Sequence, residues 1–335
     1  MRNTTNYDID FIVPWVDGSD LEWIESFNKY CSKDKTIDTR NIRYRDNGLL
    51  KYWFRAIEKY APWVRVVHFV TCGQKPEWLN MDAKKLHFVE HKDYIPSDFL
   101  PVFSSHPIEL MMHNIPDLAE HFVYFNDDCF LTNKVTSNDF FYSDLPRDLA
   151  VLSPITKTHI GHIVLNDVQE INKHFNLQKT VKKDFLKWFS PKYGLLRIRT
   201  LCLMPWNYFT GFMRNHFPQP YKKSTLNEVW ENCEEILTKT MQSRFRSFSD
   251  VNQWLFRFWH LCKGDFVPTN ATKTKKLIDL SMDMPVVEDF CKNIIDGKYK
   301  MVCINDEDCL DYDDKIKLIA DTFEKILPEK SSFEL

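Results

Sequence analysis

The sequence predicts an α/β protein with a mostly parallel sheet flanked by helices and a helical insertion or lid. Three observations carry this prediction. Short apolar, β-branched and aromatic runs in the first third alternate with helix-like stripes, the pattern of parallel strands joined by crossover helices. The middle is broken by Pro191, Pro205, Pro218 and Pro220 and crowded with Phe, Trp and Tyr. Helical periodicity then returns from Phe245 onward. The expected division is an α/β core over residues 1–154, a mostly helical insertion over 155–240, and a return to the core with a C-terminal helix over 241–335.

Each element follows from its residues. Residues 9–16 read as a first strand ending in the turn-rich Asp17-Gly18-Ser19-Asp20. Asn47 caps a helix whose buried stripe is Leu49, Leu50, Trp53, Phe54, Ile57 and Tyr60. That helix should stop at Ala61-Pro62. Residues 64–72 form a second strand, closed by Gly73-Gln74-Lys75-Pro76, and residues 86–90 a third. A helix over residues 108–112 precedes a further strand at His121. Phe245, Phe248, Val251, Leu255, Phe258, Trp259 and Cys262 are spaced as one helix face, and residues 313–323 as a docking C-terminal helix.

Composition excludes several classes. With 335 residues and 44% apolar content the chain can bury a large core. A net charge of −3 argues against general nucleic-acid binding. The basic run 179–187 reads as the wet face of a helix. Nine cysteines, none in a Cys-x-x-Cys pair, fit reduced, buried thiols, with Cys72, Cys129, Cys202 and Cys262 in apolar runs. Neither a signal-peptide core nor a spanning segment is visible, so the expectation is a cytoplasmic protein, peripheral at the inner face of the plasma membrane. The sequons Asn3-Thr4-Thr5 and Asn270-Ala271-Thr272 carry no weight without secretion.

The strand at His121 ends in Asn126-Asp127-Asp128. Open α/β sheets place ligands at carboxyl ends of strands, and paired carboxylates suit a hard cation such as Mg²⁺. A strand-capping Asx turn is the competing reading. Asp17 either touches a nucleotide or starts a turn. Arg43, Arg45 and Asp46, ahead of a helix, offer a phosphate grip or a surface ion pair. Ser104-Ser105-His106 with Glu109 reads as a polar pocket wall without triad spacing. Arg244 and Arg246 precede Ser249-Asp250 and present the same choice between phosphate and salt bridge. His159-Ile160-Gly161-His162 spells a class I aminoacyl-tRNA synthetase signature, but it lies mid-chain without a second signature and is read as chance. His216 sits alone in a proline-rich loop, a position more often structural than functional.

Together these segments resemble the Stealth family, the sugar-1-phosphate transferases of bacterial capsule and exopolysaccharide synthesis, which includes the eukaryotic N-acetylglucosamine-1-phosphotransferase. Four blocks carry the resemblance, in family order. They are Pro14-Trp15-Val16-Asp17-Gly18-Ser19-Asp20; residues 43–142 with Arg45-Asp46-Asn47-Gly48-Leu49 and Phe125-Asn126-Asp127-Asp128; residues 162–261 with His216, Arg246 and Asp250; and Cys303-Ile304-Asn305-Asp306 with the helical tail. Departures are Ser105-His106-Pro107-Ile108-Glu109, where members often have alanine for Pro107, and Cys129, where they have valine.

The resemblance implies a GT-A-like nucleotide-sugar-transferase fold, with residues 1–154 binding the nucleotide-sugar and 155–240 meeting the acceptor. It implies attack by a glycan hydroxyl on the β-phosphorus of a UDP-sugar, with release of UMP. In this reading Asp127 and Asp128 hold Mg²⁺ or Mn²⁺, Arg246 and Arg45 grip phosphate, and Asp17, Asn47, Asn126 and Asp250 seat substrate. His216 takes the acceptor's proton. The acceptor is a glycan or lipid-linked oligosaccharide, with peripheral contact to membrane-bound polysaccharide machinery and no nucleic acid. An ordinary glycosyltransferase releasing UDP and a non-catalytic glycan-binding protein are the alternatives.

Overall fold

A computed structural model describes residues 7–31, 41–156, 160–214, 216–270 and 272–335. The sequon at Asn3, Ala271 of the second sequon and His159 of the synthetase-like stretch lie outside the described residues.

The strands are β1 (Ile9–Pro14), β2 (Val67–Thr71), β3 (Leu86–Glu90), β4 (His121–Tyr124), β5 (Cys129–Leu131), β6 (Phe141–Tyr142), β7 (Leu145–Asp148), β8 (Gln219–Lys222), β9 (Val267–Pro268), β10 (Lys275–Asp279) and β11 (Met301–Asn305). The helices are α1 (Leu21–Tyr30), α2 (Leu50–Tyr60), α3 (Ser105–Leu110), α4 (Gly161–His174), α5 (Leu177–Lys183), α6 (Phe185–Trp188), α7 (Arg197–Leu203), α8 (Lys223–Met241), α9 (Trp254–Lys263), α10 (Met284–Ile295) and α11 (Tyr312–Ile326).

The main sheet runs β3-β2-β1-β4-β8, with every neighbouring pair parallel except the antiparallel β4–β8. The chain therefore builds outward from β1 through β2 to β3, then returns to lay β4 on the other side of β1. This reversal is a topological switch point, and a crevice opens beyond the carboxyl ends of the two strands that flank it. Backbone register fixes the geometry there: Ile12 pairs with Tyr124, and the Phe125 amide donates to the Ile12 carbonyl at 2.8 Å.

Strand alternation divides the apolar residues between two cores. Ile9, Phe11 and Val13 of β1 join Val123 and Phe125 on one face, packed with α2 and α11. Ile12, Phe122 and Tyr124 face the other way, toward α4, α8 and α9. A second sheet, β10-β11-β5, begins where the chain leaves β4. The buried Asp148 ties β7 to α9 by accepting from Arg257 at 2.8 Å and from His260 at 2.9 Å. The tail docks through an ion pair of Arg55 with Glu334.

Several expectations change. Residues 219–222, inside the expected helical insertion, form a strand of the main sheet. Pro220 is tolerated there because β8 is an edge strand with only β4 beside it. Residues 245–251 are not helical, and the helix starts at Trp254. Its apparent stripe extends backward only because Phe245 and Val251 are buried from loop positions. Asn47 does not cap α2 directly; its Oδ1 accepts from the Leu49 amide at 3.1 Å, in a turn ahead of the helix. Cys72 and Cys202 are exposed, while Cys129 and Cys262 are buried, and none of the nine cysteines is in a disulfide. Among the described residues, no helix is long and apolar enough to cross a membrane.

Candidate active site

The crevice at the switch point is a cleft of about 500 Å³. β1 delivers Pro14, Trp15 and Val16 to its edge, and β4 delivers Asn126, Asp127 and Asp128. The loop before α2 supplies Arg43, Arg45, Asp46 and Asn47. Gly18 lets this loop approach: its amide donates to the Tyr44 carbonyl at 2.8 Å, and a Cβ there would stand 2.5 Å from that oxygen. Ser105, His106, Glu109, His216, Arg246 and Gln253 complete the wall, with Asp306 from the end of β11.

Asn126, Asp127 and Asp128 lie in the turn after β4. The Cys129 amide donates to the Asn126 carbonyl at 3.1 Å, and the turn leads into a strand. The Ile304 amide holds the Asp128 carbonyl at 2.9 Å, so β11 fixes the turn from behind while the side chains reach the cleft. Asp128 Oδ2 lies 3.0 Å from His216 Nε2, and the same nitrogen is 3.0 Å from the Asn126 carboxamide. The thiols of Cys129 and Cys303 donate to the two Asp128 oxygens, at 3.2 and 3.4 Å.

The electrostatics separate the two carboxylates. Partial desolvation by the cleft walls, then the adjacent Asp128 charge, push Asp127 up to about 7, although the residue remains exposed to water. Burial acts on Asp128 in the same direction, but the His216 ring overrides it and holds Asp128 below its usual range. Reciprocally, Asp128 raises His216 against the opposing effect of burial. Burial likewise pushes Glu109 up to about 7; its oxygens accept from the Tyr124 hydroxyl at 3.2 Å and the Gln253 amide at 3.3 Å. Asp306 rises to about 6, again through burial. The Asp128 charge disfavours a charge on Asp127, and a divalent cation between such carboxylates would relieve that repulsion.

The arginines differ in their tethers. Arg45 pairs with Asp308, lies 3.5 Å from Asp306 and stacks over the Tyr312 ring at 4.3 Å. It thus lines the cleft and makes ion pairs at once. Arg246 Nη2 donates to Ser105 Oγ at 3.2 Å.

Two residues expected in the site are not among those that line the cleft. Asp17 is not among the lining residues; its Oδ1 accepts from the Ser19 amide at 2.8 Å and from the Ser19 hydroxyl, so it serves the turn. Asp250 is fully buried and also absent from the lining. It accepts from the Ser247 amide at 2.8 Å and from His106 Nδ1 at 2.9 Å. Through these bonds it orients the Ser247 turn and the His106 ring. Arg45, Asn47, Asn126, Asp127, Asp128, His216 and Arg246 all line the one cleft. Sequence reasoning assigned no role to Tyr124, Asn252 or Gln253. Tyr124 was hidden as the last apolar residue of its strand, and the other two carry no signal in the chain.

The α/β fold gathers acids, arginines and histidines in one charged cleft at its switch point. Residues 7–33 match the model for Stealth protein CR1, conserved region 1, and residues 43–148 that for Stealth protein CR2, conserved region 2. The chain is 40% identical to a capsular polysaccharide phosphotransferase WcwK of Streptococcus pneumoniae, over 97% of this chain and 98% of that one. It is 41% identical to the receptor polysaccharide phosphotransferase WefC of Streptococcus gordonii, over 98% and 99%. An exopolysaccharide phosphotransferase cps2G of Lactiplantibacillus plantarum is 40% identical, over 98% and 96%. The chain belongs to the Stealth family and is a transferase enzyme. Among solved structures, galactosyltransferase LgtC in complex with donor and acceptor sugar analogs covers 95% of each chain at 10% identity, with a TM-score of 0.42. A likeness that loose carries no argument.

Proposed function

We propose that the protein transfers an intact sugar-1-phosphate from a nucleotide-sugar, a UDP-hexose or UDP-N-acetylhexosamine, to a glycan hydroxyl. The product is a phosphodiester in a capsular or exopolysaccharide, and UMP leaves. The observation that carries this reading is the convergence of Arg45, Arg246, Asp127, Asp128 and His216 on one cleft, since phosphoryl transfer asks mainly for positioning and charge neutralisation. The phosphotransferase names of the relatives support the same class.

The acceptor oxygen forms a bond to the β-phosphorus as the bond to the bridging oxygen breaks, and the anomeric carbon–oxygen bond stays intact. The neutral His216 ring takes the hydroxyl proton, and the Asp128 carboxylate beside it at 3.0 Å stabilises the imidazolium that results. Arg45 and Arg246 hold phosphate oxygens in two-pronged contacts. Asn47 and Asn126 seat the donor, while Asp17 and Asp250 act from behind the cleft through the turns they hold. Asp127 and Asp128 would hold Mg²⁺ or Mn²⁺, which when bound neutralises charge along the diphosphate. The acceptor is a glycan or lipid-linked oligosaccharide, met at the periphery of membrane-bound polysaccharide machinery.

The test is incubation with a panel of UDP-sugars, Mg²⁺ and an oligosaccharide acceptor, followed by phosphorus NMR and identification of the nucleotide released. A new phosphodiester with UMP is expected. Release of UDP without a phosphodiester would make the protein a glycosyltransferase acting at the anomeric carbon.

A further inference from the structure

Beneath the cleft, β5 and β11 run antiparallel with Cys129 directly opposite Cys303. The bond from the Ile304 amide to the Asp128 carbonyl belongs to the next residue pair along, so the two cysteines form a non-hydrogen-bonded pair, the kind whose side chains come closest. Both are fully buried. Cys129 Sγ lies 3.2 Å from Asp128 Oδ1, Cys303 Sγ 3.4 Å from Oδ2, and His216 Nε2 3.0 Å from Oδ2. One donor atom from each of these four residues falls within 4.8 Å of all the others.

We propose that Asp128, His216, Cys129 and Cys303 form a four-donor site for a thiophilic d¹⁰ cation such as Zn²⁺, and that this ion blocks the enzyme by occupying Asp128 and His216. The donor set is two sulfurs, one imidazole nitrogen and one carboxylate oxygen, the mixture that tetrahedral zinc takes and that Mg²⁺ avoids. Zinc bonds of roughly 2.0 Å to nitrogen or oxygen and 2.3 Å to sulfur place donors about 3.3–3.8 Å apart in a tetrahedron. The four donor atoms lie within 4.8 Å of one another, so the shell contracts by at most about 1 Å per pair to reach that shape. Asp128 and His216 line the cleft and give the ion its entry, and the thiols lie beneath them. Binding releases the thiol protons, as zinc does at any cysteine site. A hard cation would stay on the oxygens of Asp127 and Asp128, so the two metals compete through Asp128 alone. The inhibitory half rests on the phosphotransfer reading; the binding half does not.

A second cluster, Glu170, His174 and Cys233 between α4 and α8, serves as the internal control. It has one thiol, and Lys173 already pairs with Glu170 at 2.6 Å.

The whole protein is titrated with Co²⁺ in the absence of nucleotide and acceptor, and then with Zn²⁺. A thiolate-to-cobalt charge-transfer band should appear, and stoichiometric Zn²⁺ should remove it. Cys129→Val and Cys303→Ser should lose the band, and Cys233→Ser should keep it. If a cysteine variant does not fold, His216→Ala tests the same site. It should weaken Zn²⁺ by more than the roughly 10- to 100-fold that loss of an outer-shell partner costs. Absence of the band in folded wild type, or its loss in Cys233→Ser with retention in Cys129→Val, would overturn the site. In the transfer assay, Zn²⁺ should inhibit and a chelator followed by Mg²⁺ should restore turnover. Zn²⁺ bound to the four donors with transfer unaffected would overturn the inhibitory role, and it would leave the binding site standing.

Discussion

His216 Nε2 stands 3.0 Å from Asp128 Oδ2, although the two residues are 88 positions apart in the chain. One comes from the turn after β4 and the other from the loop leading into β8, and the antiparallel pairing of those strands brings them together. The residue proposed as base and the residue proposed as metal ligand are therefore a single coupled unit. Each favours the other's charged form, so a change in one shifts the titration of its partner.

The coupling predicts a pH signature. Asp128 raises His216 above its ordinary range in the metal-free protein. Stability from this pair is present below the unfolded imidazole value, about 6.5, and is lost as pH rises through the higher folded value. NMR titration should place the His216 midpoint above that of a free imidazole, and Asp128→Asn should bring it down. His216→Ala should bind donor almost normally while transfer falls by roughly 10²- to 10⁴-fold. An acid limb of the pH–rate profile that survives in His216→Ala would give the proton to another group.

Arg45 and Arg246 should separate phosphate grip from surface pairing. Each replacement by alanine should lower kcat/KM by roughly 10²-fold, the scale of a lost charge-assisted transition-state contact, and lysine should rescue little. Arg45 also pairs with Asp306 and Asp308, which provides a control. Asp308→Ala removes the exposed partner and should leave turnover largely intact. Wild-type kinetics in Arg45→Ala would confine that arginine to its ion pairs.

Much of this arrangement was legible in the sequence, for identifiable reasons. The runs at Ile9, Val67 and His121 are apolar on both faces because β1, β2 and β4 are interior strands with both sides buried. The carboxylates at the end of β4 stood out because an apolar run ends abruptly in charge. Residues 219–222 were illegible: Pro220 inside the run and Pro218 just before it read as loop, and only the tertiary edge position makes a strand there. The helix boundary at Trp254 was misread because burial of Phe245 comes from rings packed around it, Phe27 and Phe103 among them, and not from helical periodicity. Asp17 and Asp250 look like site residues by composition. Which way a short carboxylate turns depends on amides nearby in space, and spacing does not encode that.

Asp250 gives a stability prediction. Burial lowers His106, leaving it neutral near pH 7, so its contact with Asp250 is a hydrogen bond between a neutral ring and a carboxylate. Asp250→Ala would leave His106 and the Ser247 amide without their acceptor. Each buried group left bare costs about 1–3 kcal/mol, so chemical denaturation should show a clear loss, with Asp250→Asn milder. Donor affinity in the surviving folded protein should change little. Wild-type stability with a specific loss of donor binding would instead put Asp250 in contact with the donor.

Asp127 connects metal, pH and stability most directly. Crowding by the cleft walls and the Asp128 charge push it up to about 7, although the residue stays exposed to water, which screens the effect. An unfolded aspartate titrates near 4. A raised carboxylate means that the folded state binds more protons than the unfolded one between those values. Stability of the metal-free protein therefore falls as pH rises through that window. Asp127→Asn removes the penalty, so its thermal midpoint should exceed wild type at pH 8 and converge with it near pH 4. Saturating Mg²⁺ should stabilise wild type at pH 8, release protons on binding near pH 7, and give Asp127→Asn much less. The same substitution should cripple transfer, making a more stable protein a poorer enzyme, and EDTA should abolish wild-type transfer until Mg²⁺ or Mn²⁺ is restored. Equal midpoints across the whole pH range, together with full activity in EDTA, would remove both the strained carboxylate and its cation from the mechanism.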